Sequence, residues 1–109
     1  MTERSFVINH YAYTPIPTDP VLLNLDGCKD WGALHQRIRK TFGFPDYYGE
    51  NWDAMWDCLT DVFLQPVQRH IIVKGFAAMP QELRKYAAPM QDIFSDLQEK
   101  YPWVSVIYR

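Results

Sequence analysis

Residues 21–43 read VLLNLDGCKDWGALHQRIRKTFG, and this stretch decides the fold class. Val21 to Leu25 is a short apolar run closed by the turn pair Asp26-Gly27, the pattern of a buried strand. Asp30 follows in the position of a helix N-cap, where its carboxylate can accept a free backbone N–H. Trp31, Leu34, Ile38 and Phe42 then recur at helical spacing, Arg37, Arg39 and Lys40 lie off that face, and Gly43 closes the segment. A strand is thus followed directly by an amphipathic helix whose apolar stripe needs a sheet to pack on.

The same alternation continues outward. His70-Ile71-Ile72-Val73 is a β-branched run ended by Gly75, and Trp103 to Tyr108 makes a closing strand. Between these strands, Asn51 caps a helix over about residues 52–63. Pro80 starts a short helix near Gln81 to Ala88, Pro89 interrupts it, and a further helix runs from Met90 to Tyr101 with Ile93, Phe94, Leu97 and Tyr101 inward. Strands separated by helices pair in parallel through right-handed crossovers. The expected fold is therefore α/β, with one three-stranded parallel sheet and about four helices over residues 21–109. Residues 1–20, with Pro15, Pro17 and Pro20, read as an N-terminal extension or edge strand.

At 109 residues, with 48% hydrophobic and 22% charged residues, the chain suits one globular domain; its aromatic share of 16% is high. Met1 to Val7 lacks the apolar run of a secretory signal, and no stretch is long and apolar enough for a membrane span. Cys28 and Cys58 have no metal-ligand spacing and are too few for a disulfide scaffold. The expected compartment is the cytoplasm, with both thiols reduced.

Net charge is only −2, but its distribution is uneven. From Thr41 to Gln68 there is no Lys, Arg or His, while Asp46, Glu50, Asp53, Asp57 and Asp61 all fall there. The other 8 acidic residues are outnumbered by 11 Lys and Arg. On a helical wheel Asp53, Asp57, Thr60 and Asp61 share an arc of about 100°. The opposite arc holds Trp52, Met55, Cys58, Leu59, Val62 and Phe63, with Trp56 at its edge. Asp53 in the first turn suits the helix dipole, but Asp53/Asp57 and Asp57/Asp61 are like-charge pairs at i,i+4, each costing ~0.2–0.5 kcal/mol. Asp61 also faces the negative end of the dipole. Such stacked repulsion with no cation to relieve it suits a surface that meets a basic partner, and the neighbouring Tyr47, Tyr48, Trp52 and Trp56 are of the types that dominate interface hot spots.

Residues 45–60, PDYYGENWDAMWDCLT, resemble the barstar family of intracellular ribonuclease inhibitors, and Leu34-His35-Gln36 and the ungapped spacing from Phe76 to Arg109 extend the resemblance over about residues 21–109. The resemblance implies no catalysis, no cofactor, and a loop and helix that plug a basic microbial ribonuclease. Carried to matching positions, it puts Tyr47, Gly49, Asn51, Trp52, Asp53, Trp56, Asp57 and Thr60 on the inhibitory surface. Asp57 would stand in for a substrate phosphate, Asp53 would be a neighbouring ion-pairing acid, and Asp96 a further contact on the last helix. Two positions depart from the best-known member: Trp52 replaces Leu, and Asp61 replaces Gly. Asp61 is the expected determinant of which nuclease is recognised, since an added charge excludes some partners and favours others.

Other readings share these residues. The partner could be a toxin nuclease domain, making the chain an immunity protein or antitoxin, or a non-nuclease protein. Asp53, Asp57 and Asp61 could instead hold Mg²⁺ for hydrolysis, but no second acidic helix or phosphate-cradling glycine loop accompanies them. His10, His35 and His70 are expected to be structural. Direct nucleic-acid binding is disfavoured by an acidic face, and the free protein is expected to be monomeric.

Overall fold

The computed structural model describes Tyr13 and residues 19–109. In chain order the elements are β1 (Val21–Asn24), α1 (Trp31–Phe42), α2 (Trp52–Val62), β2 (Arg69–Lys74), a 3-10 turn (Phe76–Ala78), α3 (Gln81–Tyr86), α4 (Ala88–Lys100) and β3 (Val104–Tyr108). The three strands form one sheet in the order β1-β2-β3, both pairings parallel. Val21 pairs with Ile71 and Ile71 with Val106, so apolar residues align in rows across the sheet. The expected α/β architecture is present. The extension over residues 1–20 lies outside the described residues, apart from Tyr13, Asp19 and Pro20.

Alternation along the strands sorts the two faces. Val21, Leu23, Ile71, Val73 and Val104 are buried beneath the helices, whereas Leu22, Asn24, Lys74 and Ile107 are exposed. Against the covered face lie Leu34, Ile38 and Phe42 of α1, Met55 and Leu59 of α2, and Met90, Phe94 and Leu97 of α4, all inaccessible to solvent. At ~25 cal/mol per Å² of apolar surface, these large side chains supply the main drive to fold. Gly75 closes β2 with φ 88°; a Cβ there would collide with the side chain and backbone nitrogen of Asp26 in the β1–α1 turn. Only glycine lets those two segments approach so closely.

Two expectations about the helices need correction. Helical spacing puts Trp31 on the apolar stripe of α1, yet it is 55% exposed. It occupies the first helical position, where the chain has only just left its cap, and its ring meets other aromatic rings at the end of the helix. Pro89, expected to interrupt, instead sits in the first turn of α4, where its missing N–H costs nothing; the break falls at Ala87.

Candidate protein-binding interface

The acidic segment is held by local chemistry at each end. Asn51 is extended (φ −140°), and its side-chain oxygen accepts the Ala54 N–H at 2.8 Å, capping α2. Its amide nitrogen donates to the Gly49 carbonyl at 3.2 Å. A Cβ on Gly49 would lie 3.1 Å from that same nitrogen, so the small residue at 49 and the cap at 51 fit together. Glu50, between them, takes the left-handed conformation (φ 52°), and its carboxylate accepts a 2.6 Å bond from Gln36 of α1. The loop is thus fixed before the helix begins.

Tyr48 anchors the loop from beneath. Its hydroxyl lies 2.7 Å from Nδ1 of His35, and the Tyr86 hydroxyl lies 2.7 Å from Nε2. His35 is fully buried, and burial pushes its pKa below the usual imidazole value, partly opposed by the Glu50 charge. A neutral imidazole has one N–H to donate and one nitrogen to accept with, which two flanking hydroxyls satisfy. Among the described residues no buried side-chain polar atom is left without a partner. His35 is structural, as expected; His70 bonds Asp19 through Nδ1 at 2.9 Å, and His10 lies outside the described residues. Cys28 and Cys58 are both free and buried.

The wheel separated the faces of α2 correctly. Met55, Cys58 and Leu59 are buried, with Phe63 beyond them; Trp52, Trp56, Thr60 and Val62 are half-buried; Asp53, Asp57 and Asp61 are exposed. The five acids of the cation-free segment then divide into two groups. Asp46 pairs with Arg39 at 3.1 Å, Glu50 is held by Gln36, and Asp61 accepts a 3.1 Å bond from the Tyr13 hydroxyl. The carboxylates of Asp53 and Asp57 have no hydrogen-bonding or ionic partner among the described residues. Both are thus exposed carboxylates, one turn apart on the same helix, with no cation paired to them among the described residues.

The other candidate residues take varied positions. Tyr47 is 64% exposed at the loop tip. Thr60 donates its hydroxyl to the Asp57 carbonyl, and its own carbonyl accepts from Tyr101 at 3.0 Å, which ties α2 to the end of α4. Asp96 is exposed on α4, the helix packed against α2. Trp52 is partly drawn inward, its ring 4.8 Å from that of His35. Two residues that the sequence reading did not assign to the site adjoin it: Tyr86, through the His35 bond, and Tyr13, through Asp61. Neither has a sequence signal, because each meets its partner across roughly half the chain. Among the described residues no three His, Cys, Asp or Glu side chains gather in a way that could hold a metal ion, and no helix is long and apolar enough to cross a membrane.

Comparison with known proteins gives this surface a context. The family model described as "Barstar (barnase inhibitor)" matches residues 18–105, which include both α2 and Asp96. A Bacillus subtilis (strain 168) protein named "Putative ribonuclease inhibitor YrdF" is 36% identical over 68 residues, covering 62% of this chain and 72% of that protein. On the extent of the family match, and with the three-stranded parallel sheet beneath the acidic helix, the chain belongs to the barstar (barnase inhibitor) family.

Proposed function

We propose that the protein is an inhibitor of a basic microbial ribonuclease and acts in the cytoplasm as a monomer, occluding the enzyme's active site with residues 47–61. The observation that carries this reading is that the Asp53 and Asp57 carboxylates have no partner among the described residues, whereas the neighbouring acids Asp46, Glu50 and Asp61 are already engaged within the chain. An exposed carboxylate with no internal partner keeps its full hydrogen-bonding capacity for an incoming cation. Burying it in an interface is costly unless several Arg, Lys or His donors surround it, as they do in a pocket built for phosphate.

Asp57 stands in for the substrate phosphate and Asp53 pairs with an adjacent cation. Tyr47, Gly49, Asn51, Trp52, Trp56 and Thr60 shape the surrounding surface, and Asp96 adds a contact from α4. Asp61, shared with Tyr13, borders this face and discriminates between nucleases. A toxin nuclease domain would present the same kind of pocket, so an immunity role in bacteria uses the same residues. The protein itself performs no catalysis. The test is an RNA-cleavage assay against a panel of basic bacterial ribonucleases, barnase first. Stoichiometric loss of cleavage on titration supports the reading; a panel left fully active refutes it.

A further inference from the structure

Three helix ends meet beside the inhibitory loop, and each brings an aromatic ring. Trp31 is the first residue of α1, Trp52 the first of α2 and Tyr86 the last of α3. The Trp52 and Tyr86 rings are 5.2 Å apart, Trp31 and Tyr86 6.4 Å apart, and all three surround the buried His35 ring, at 4.8 Å (Trp52), 5.9 Å (Tyr86) and 6.4 Å (Trp31). His35 in turn is held by the Tyr48 and Tyr86 hydroxyls. The rings therefore rest on a fixed base, yet Trp31 remains 55% and Tyr86 36% exposed. Leaving this much rigid aromatic surface in water forgoes the gain of burying it, and Trp and Tyr at low entropy cost are the side chains that anchor interfaces.

The geometry points to this Trp31–Trp52–Tyr86 platform as a second contact surface for the same nuclease, receiving a cationic side chain of the enzyme against its rings. The inference rests on the function proposed above. Continuity supports it: Trp52 adjoins Asp53 in sequence, and Asn51 and Gly49 lead directly to it. Charge supports it as well. Burial first, and then the Glu50 carboxylate, push the Tyr86 hydroxyl pKa up, so an acidic group stands close enough to act on the platform. Glu50, two residues before Trp52 in the chain, is held in place by Gln36. Among the described residues the cations placed over aromatic rings are Arg69 on Phe63 and Lys100 on Tyr101, and no described Lys or Arg covers the three platform rings. An aromatic face beside a carboxylate, with no cation over it among the described residues, is complementary to the guanidinium or ammonium of a basic protein.

The experiment compares wild type, Trp31→Ala, Trp31→Phe, Trp31→Lys and Asp57→Ala by inhibition and dissociation kinetics with whichever ribonuclease of the panel the wild type inhibits. Trp31→Ala is expected to weaken inhibition about 10-fold, chiefly through faster dissociation. Trp31→Phe should recover part of the loss, and Trp31→Lys should lose more than Trp31→Ala, with the thermal midpoint of each variant within a few degrees of wild type. Unchanged inhibition by Trp31→Ala while Asp57→Ala fails overturns the platform and leaves the inhibitory helix standing. Equal losses for Trp31→Ala and Trp31→Lys overturn the cationic occupant. A wild-type protein inactive against the whole panel overturns both the function and the platform.

Discussion

Replacing Tyr48 by Phe removes one oxygen and changes almost nothing else, so its effect can be worked out from the structure. The hydroxyl lies 2.7 Å from Nδ1 of His35, with Tyr48 6% exposed and His35 fully buried. No water can reach the orphaned nitrogen without local opening. Leaving a buried polar group unsatisfied costs about 1–3 kcal/mol, and the burial of both partners places this variant near 2 kcal/mol. For a domain of this size that corresponds to a fall of roughly 8 °C in Tm. Tyr86→Phe is the internal control. It breaks the equivalent 2.7 Å bond at Nε2, but Tyr86 is 36% exposed, so water can take the place of its hydroxyl at a cost of about 1 kcal/mol or less. Urea unfolding of the two variants, fitted with a common m-value, measures both numbers. A Tyr48→Phe variant as stable as wild type would refute the account of His35 as a doubly bonded buried imidazole, and equal destabilisation by the two variants would refute the difference in water access.

Three other outcomes follow from named contacts. Asn51→Ala removes the α2 cap and the bond to the Gly49 carbonyl, and should lower stability by about 1 kcal/mol in the same urea titration. Tyr13→Phe deletes the bond to Asp61 and should leave an exposed carboxylate with little loss of stability; two-dimensional NMR should show shifts confined to Asp61, Cys58, Phe44 and their neighbours, and shifts spread through the sheet would contradict the placement of Tyr13. Asp19 accepts from the His70 side chain, the His70 N–H and Arg69, which hold its carboxyl below the usual range. Its folded pKa is depressed, so the stability it contributes is present above about pH 4 and is lost as pH falls through the folded value. The stability difference between wild type and Asp19→Asn should therefore shrink as pH falls below about 4; a difference that grows over that acid range would contradict it.

The parts of the fold legible in the sequence were those set by neighbours in the chain. Asp30 and Asn51 marked helix starts because an N-cap bonds a backbone N–H three residues on, Ala33 and Ala54 here. The β-branched run at residues 70–73 marked a strand, and the period of α2 separated its core from its acidic face. The order of the strands was not legible, since three similar apolar runs do not say which lies in the middle. Nor was the state of the acids. Charge counting treats Asp46, Asp53, Asp57 and Asp61 alike, whereas Arg39 and Tyr13 engage the first and last of them. Trp31 was misplaced for a related reason: a wheel assumes that every turn of a helix has something to pack on, and the first turn of α1 has only other rings at the helix ends.

The central claim is that Asp57 is the carboxylate offered to the nuclease, and comparing Asp57→Ala with Asp46→Ala in an inhibition titration tests it most directly. Asp57 has no internal partner among the described residues, so its loss should leave stability nearly unchanged and weaken inhibition by roughly 30-fold or more, the size of an interface hot spot. Asp46 forms one solvent-exposed pair with Arg39, and its loss should change inhibition by no more than about threefold. Equal effects of the two substitutions, or full inhibition by Asp57→Ala, would contradict the assignment of the α2 face.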